Sequence, residues 1–237
     1  MEIVSCTHID VTAYERDYHP YVWALHVQIN HADFPQEARR IVDILSDDCW
    51  LSKLDEIDQA AYGERMQDTL DNIVADIEMG GQAGASKAMV RVFMEYLISV
   101  NAQRALIEKE HIEIPLAELW KEKASGNPGF DFHTISPHQM LVFGEAKYTQ
   151  NGSPYSNAIS QVAKFIKRGK HTKELSDLRR FAPKPAKKVI KGQFGVAAAF
   201  SVKTGKAAHR IEQTIRHNAF KKLLANKEVY ILAVEIV

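Results

Sequence analysis

Apolar residues recur at helical spacing through the first half of the chain. Between residues 35 and 78 they return every three or four positions among many acidic residues, which predicts two or three amphipathic helices with negative exposed faces. The glycine-rich residues 80–84 interrupt this pattern. A further helix is predicted from about residue 85 to residue 106, with its apolar side chains on one stripe.

The second half alternates between strand-like and helix-like patterns. Residues 141–148 carry apolar side chains on both faces, as does a strand covered on two sides, and residues 194–202 and 229–237 are predicted as further strands. Helices are predicted at residues 153–168 and 206–226, and residues 179–191 form a basic connector with two prolines. This order predicts an α/β (α+β) protein, in which helices flank a mixed β-sheet.

The remaining segments add less to the predicted fold. Residues 1–30 contain short β-prone pieces, the clearest at residues 21–27, and a Gly- and Pro-containing loop is predicted at residues 125–129. No apolar run approaches the roughly 18 residues that a membrane helix needs, so no membrane partner is expected. Two cysteines without CxxC spacing exclude a disulfide scaffold and a thiolate zinc site, and the expected location is the cytoplasm.

Charge is distributed unevenly along the chain. The 237 residues are 46% hydrophobic and 25% charged, which is ordinary for a globular protein, and the formal net charge is zero. Residues 1–118, however, hold 9 basic and 22 acidic side chains, whereas residues 119–237 hold 21 basic and 8 acidic ones. These opposite charges of −13 and +13 indicate that the second half binds a polyanion.

Two charged residues lie inside the predicted strand at residues 141–148. Alternation places Glu145 and Lys147 on one face of a segment too apolar to be an edge strand. Their burial costs several kcal/mol unless they are paired or hold a metal. Asp131 lies fourteen residues before Glu145, in a stretch suited to the adjacent strand. An Asp and a Glu on neighbouring strands can hold Mg²⁺ or Mn²⁺, while Lys147 orients an attacking water.

An Asp followed by Glu-Ala-Lys in an apolar strand, and then by a helix, resembles the PD-(D/E)xK nuclease superfamily, with Phe130 here in place of the usual proline. Gln161, four residues before Phe165, resembles the Gln-x-x-x-Tyr element of the branch related to the RecB nuclease domain. The resemblance implies a core of one helix, three strands, a helix and a further strand within residues 82–237. It also implies metal-dependent cleavage of nucleic acid, chiefly of DNA. Asp131 and Glu145 would bind Mg²⁺ or Mn²⁺, Lys147 and Gln161 would complete the catalytic set, and Phe165 would pack.

Residues 143–148 and 158–162 are most similar to the HamA/AbpA-type nuclease subunits of Hachiman phage-defence systems, which act beside a helicase-like partner. This resemblance implies an antiviral role, a partner-docking acidic region at residues 1–80 and a nuclease core at residues 81–237. That group often has a Gly-Glu pair on the helix before the sheet, which residues 83–88 lack. Whether an acid of the helix at 85–106 completes the metal site stays open, and Glu95 is interpreted as part of a solvated salt-bridge stripe with Lys87 and Arg91.

A basic segment follows the predicted catalytic residues. Residues 164–191 contain eleven Lys or Arg against one Glu and one Asp, which is dense enough to follow a phosphate backbone. Few aromatic residues accompany them, so base-specific reading has little support. The predicted nucleic-acid contacts are Lys164, Lys167, Arg168, Lys170, Lys173, Arg179 and Arg180.

Three other interpretations stay open. In the first, Glu145 and Lys147 form a structural ion pair, and this interpretation leaves Asp131 unexplained. The second is a self-contained, type II-like restriction endonuclease, which needs a sequence-reading element. The third is a catalytically silent nuclease-fold subunit that binds nucleic acid. The chain contains neither a complete phosphate-binding loop nor a GxSxG nucleophile elbow.

Overall fold

A seven-stranded mixed β-sheet forms the middle layer of the computed structural model, which describes residues 1–14, 20–121, 129–149 and 152–237. Its strand order is β1-β2-β7-β6-β5-β4-β3. The four central strands β2, β7, β6 and β5 run parallel, and the others pair antiparallel with their neighbours. The strands are β1 (Glu2–His8), β2 (Tyr21–Ile29), β3 (Ile112–Glu113), β4 (Phe132–Ile135), β5 (Leu141–Lys147), β6 (Gly195–Lys203) and β7 (Glu228–Ile236).

Helices cover both faces of the sheet, which confirms the prediction of a mixed α/β protein. One face packs against α1 (Phe34–Ser46), α2 (Glu56–Gly80) and α3 (Lys87–Ile107). The short helix α4 (Ala117–Trp120) lies between β3 and β4 in the chain. The other side carries α5 (Pro154–Lys167), α6 (Lys170–Lys173), α7 (Leu175–Phe181), α8 (Pro183–Val189), α9 (Ala207–Arg216) and α10 (Asn218–Leu223).

Helix α3 is the apolar centre of its layer. Ser86 begins the helix by accepting a hydrogen bond from the Met89 amide at 3.3 Å. The stripe predicted from the sequence is buried and includes Phe93, Leu97 and Val100, which pack over the sheet. This packing fixes the polar edge of α3 above the end of β5.

Two predicted elements differ from the structure. The connector at residues 179–191 is helical, because Pro183 stands at the start of α8, where a missing N–H breaks no helical hydrogen bond. The single helix predicted at residues 206–226 is wrong: the chain is extended at His217, whose side chain accepts from the Ala219 amide and begins α10. Residues 125–128 of the predicted loop lie outside the described residues.

The acidic N-terminal region shares the sheet with the rest of the chain. Strand β2 pairs with β7 over all nine of its residues, and β1 extends the sheet beyond β2. Helix α2 also meets α7, where Arg180 donates to Asp58 and the Tyr62 hydroxyl donates to Asp177 at 2.8 Å. The division at residue 80 into two functional regions stays a prediction. Among the helices described, none has both the length and the apolar character to cross a bilayer.

Candidate active site

Asp131 is fixed at the entrance to β4 by the backbone of β5. Its amide donates to the Gly144 carbonyl at 2.8 Å, and its Oδ2 accepts from the Ala146 amide at 2.7 Å. Gly144 permits this close pairing, because a Cβ there would lie 2.3 Å from the ring of Phe132. Local backbone pairing therefore places the Asp131 carboxylate beside the strand that carries Glu145.

Glu145 and Lys147 are neighbours on one face of β5, as the alternation predicted. The Glu145 side chain has no solvent-exposed surface, and the Lys147 ammonium donates to its Oε1. The second carboxylate oxygen, Oε2, is buried and accepts no hydrogen bond from any residue that the structure describes. An ionised carboxylate with one unpaired buried oxygen is destabilising unless a further donor or a cation reaches it.

The two carboxylates and the ammonium perturb one another. Burial raises the pKa of Glu145 well above its usual range, and the charge of Asp131 adds to this effect while Lys147 opposes it. Burial also raises the pKa of Asp131 to about 6, against the opposing influence of Lys147. For Lys147 burial would lower the pKa, but Glu145 and Asp131 outweigh burial and raise it. One ammonium therefore compensates the pair incompletely, and a bound cation would stabilise both ionised carboxylates.

Asp131 and Lys147 meet the solvent in a small cleft, here called the acidic cleft, of about 250 Å³. Asp131 and Lys147 line it on the sheet side, and Glu95 and Tyr96 of α3 line it from above together with Glu118 of α4. Glu145 does not line the cleft but lies fully buried. The acidic cleft thus presents three carboxylates and one ammonium, a setting that favours a cation.

Glu95 and Glu118 were not predicted as site residues. The predicted pair of Arg91 and Glu95 is present at 3.0 Å, yet Glu95 also reaches the acidic cleft. The sequence signal that could have identified Glu95 was its position next to Tyr96, at the border of the apolar stripe of α3. Glu118 gave no sequence signal, because α4 reaches the cleft only through the tertiary fold.

The structure places Gln161 at a half-buried position on α5, without a hydrogen bond to any described residue. It does not line the acidic cleft, so its catalytic role stays a prediction. Phe165 is buried on the same helix, with its ring 5.4 Å from the ring of Phe130. This contact confirms that Phe165 packs.

The predicted nucleic-acid contacts fall into two groups. Arg180 is ion-paired with Asp58 of α2, so part of its charge is already compensated within the protein. Lys170 is half-buried and already interacts with another group of the protein. Arg180 is exposed despite this ion pair, and the other exposed members are Lys164, Lys167, Arg168, Lys173 and Arg179.

Glu174 joins this basic segment to the candidate site. Its carboxylate accepts from the Phe130 amide at 2.9 Å and pairs with Lys121 at 2.7 Å and with His133 at 2.8 Å. Burial acts to raise the pKa of Glu174, but the contacts with His133 and Lys121 outweigh it and lower that pKa to about 2. The segment is therefore anchored next to Asp131 by a buried carboxylate.

A separate acidic group lies on the surface. In the part of the chain that the structure describes, Asp47, Asp48 and Cys49 are the three potential metal ligands whose atoms lie within 4.8 Å of one another. All three are exposed, and such groups are common without an ion. The predicted ligands Asp131 and Glu145 do not belong to a group of three by this measure.

Comparisons of the chain with protein-family models, with curated proteins and with solved structures found no match.

Proposed function

We propose that the protein is a metal-dependent nuclease that hydrolyses phosphodiester bonds in nucleic acid, with DNA as its substrate. The observation that carries this proposal is the buried Glu145 carboxylate, which accepts from Lys147 through one oxygen and has no donor for the other among the described residues. Asp131, whose charge acts on Glu145, and the open acidic cleft beside both residues support it. The element order α3, β3, β4, β5, α5, β6 agrees with the core implied by the PD-(D/E)xK resemblance, with α4 and α6–α8 inserted.

The donor set fits a hard divalent cation. Asp131 and Glu145 offer carboxylate oxygens, the ligands that Mg²⁺ and Mn²⁺ prefer, and burial disfavours the uncompensated charges of both. A cation held there supplies Lewis-acid stabilisation of charge on a phosphoryl oxygen. Glu95 and Glu118 add negative charge to the same cleft and further favour a cation.

Lys147 has two roles in this proposal. Its ammonium holds Glu145 Oε1 in place, and its position on the cleft wall lets it donate a hydrogen bond to the attacking water or to the scissile phosphate. The nearby carboxylates keep Lys147 protonated at neutral pH because they raise its pKa. Gln161 is proposed as a supporting residue on α5, where its amide makes no hydrogen bond to a described residue and is available for that role.

The substrate and the biological setting follow from charge and from the resemblance. The exposed cations of α5–α7 would follow the phosphate backbone, since a basic surface of this kind binds nucleic acid largely without regard to sequence. The exposed acids of α1 and α2 would repel that backbone and instead suit a basic surface on a helicase-like partner. An antiviral role with such a partner is part of the proposal and rests on the HamA-type resemblance.

The test compares cleavage by Glu145→Gln and Lys147→Met with cleavage by the wild type, on DNA and RNA substrates. We expect cleavage by the wild type only with Mg²⁺ or Mn²⁺, and its loss in both variants, because each removes a charged group of the site. Glu78→Gln and Lys53→Met are the matched controls, since both residues are exposed and lie outside the acidic cleft and the basic segment. Undiminished cleavage by Glu145→Gln, or by the wild type in EDTA, would overturn the proposal.

One observation favours a second candidate, a silent subunit that binds nucleic acid without cutting it. Glu145 is fully buried and bonded to Lys147, as a structural ion pair would be. For that candidate the wild type binds DNA, cuts neither DNA nor RNA with any divalent cation, and loses thermal stability when Lys147 is replaced.

A further inference from the structure

A second, more basic cleft lies at the carboxyl ends of the parallel strands. It has a volume of about 640 Å³ and is formed where β6 and β7 end and where the chain leaves β5 at Tyr148. In open α/β sheets, ligands commonly bind outside the carboxyl ends of the parallel strands. This cleft, here called the basic cleft, is lined by Ser201, Lys203, Lys206, His209 and Arg210 among other residues.

The cations of the basic cleft have no ion-pair partner among the described residues. No described Asp or Glu lines the cleft. The buried Glu235 carboxylate accepts from the Gly205 amide, in the turn between Lys203 and Lys206, but forms an ion pair with His26 and with neither lysine.

Arg210 lies over the ring of Tyr155 at 5.6 Å and donates to Gln213, which is neutral. Lys203, Lys206 and His209 are exposed at the mouth of the cleft, and Arg210 is half-buried. The positive charge of this cleft, which has no ion-pair partner among the described residues, would therefore attract an external anion.

Two further features indicate that the anion enters the cleft. Ser201 is 7% exposed and lines the cleft, and its hydroxyl makes no hydrogen bond to a described residue, so this hydroxyl is accessible from the cleft and available to bind a ligand. Helix α9 also begins here, with Lys206 before its first turn, no side-chain cap and no acid in that turn. The positive end of its dipole adds to the attraction for an anion.

We propose that the basic cleft binds a backbone phosphate of a nucleic-acid strand whose neighbouring segment lies in the acidic cleft. Lys147 lines the acidic cleft and the next residue, Tyr148, lines the basic cleft, so both clefts reach the carboxyl end of β5. The basic cleft thus positions the strand for cleavage and is distinct from the exposed cations of α5–α7. The identity of the strand as nucleic acid rests on the proposed function, whereas the anion site rests on the cleft alone.

Binding assays without metal test this proposal separately from catalysis. Fluorescence anisotropy of a labelled duplex oligonucleotide and of its single strand, in EDTA, compares the wild type with Lys203→Gln/Lys206→Gln. We expect the double variant to bind about tenfold more weakly. The slope of log K against log salt concentration should be shallower by about 2, since each phosphate contact contributes about 0.9 to that slope on duplex DNA. Lys53→Gln/Lys87→Gln removes the same charge from exposed positions of the acidic half and is expected to change neither value.

Ser201→Ala provides a second readout that leaves the net charge unaltered. We expect it to weaken oligonucleotide binding about threefold, the scale of one hydrogen bond, without lowering the melting temperature. Wild-type affinity and an unchanged salt slope in Lys203→Gln/Lys206→Gln would overturn the proposal, even if the wild type cleaves DNA with Mg²⁺. Weakened binding in these variants, with no cleavage by the wild type, would support the anion site in the basic cleft and contradict the proposed nuclease activity. A wild type that binds neither oligonucleotide would overturn both.

Discussion

A divalent cation is expected to stabilise the protein, and Asp131 is expected to set the pH dependence of that effect. Burial raises the pKa of Asp131 from an ordinary 3.8 to about 6. The folded state therefore binds more protons than the unfolded state between these values, so without metal the free energy of unfolding falls as pH rises from about 4 to 6. This difference of about 2 pKa units would lower the free energy of unfolding by at most about 3 kcal/mol.

Cation binding reverses this loss, because it compensates the carboxylates that burial disfavours. At a concentration 100 times its Kd, the cation stabilises the folded state by about 2.7 kcal/mol. For a protein of this size that is a rise in Tm of about 5 to 10 °C at pH 7.5. At pH 5 about nine-tenths of the Asp131 carboxyls hold a proton, so the same concentration of cation should give about half that rise.

Thermal unfolding with and without Mn²⁺, at pH 5 and pH 7.5, measures both effects. Asp131→Asn keeps an oxygen that can accept from the Ala146 amide but removes the charge, so it should abolish the rise in Tm. Asp47→Asn/Asp48→Asn removes the exposed acidic group and should leave the rise intact. The reasoning is refuted if the rise persists in Asp131→Asn and disappears in Asp47→Asn/Asp48→Asn.

Two further predictions concern packing and the acidic surface. Gly144→Ala should lower the free energy of unfolding by about 1 to 3 kcal/mol, because its Cβ would overlap a buried ring. Gly63→Ala, within α2 and with its nearest contact at 3.8 Å, should raise it by about 0.5 to 1 kcal/mol, and equal effects in urea unfolding would contradict the packing argument. Charge reversal at the exposed Glu56 and Glu64 should slow association with a helicase-like partner at low salt while DNA affinity stays the same or rises. An unchanged association rate would mean that these acids only keep the surface soluble.

The arrangement along β5 was predictable because it depends on local geometry. Alternation along a strand fixes which side chains share a face, and the bond between Glu145 and Lys147 follows from that rule alone. The neighbouring position of Asp131 was predictable for a similar reason, since a short connection between two strands favours an antiparallel pair. The strand order and the N-terminal pairing were not predictable, because β2 and β7 are far apart in the chain and no local pattern links them.

The two clefts show the same limit. The acidic cleft combines Glu95 of α3, Glu118 of α4 and Asp131 before β4, and their meeting depends on how the layers pack. The basic residues at 203–210 were visible in the sequence, but that no described acid lines their cleft is a property of the fold. Sequence patterns identified charged residues, whereas tertiary packing decides which of those charges are compensated.

The position of β7 between β2 and β6 has a consequence for synthesis of the chain. β2 is made early, yet one of its edges has no partner until β7, about 200 residues later, has left the ribosome. At about 5 to 20 residues per second, this interval lasts about 10 to 40 s. During that time an apolar strand edge is open to pairing with other nascent chains, so native assembly depends on its protection until the last strand arrives.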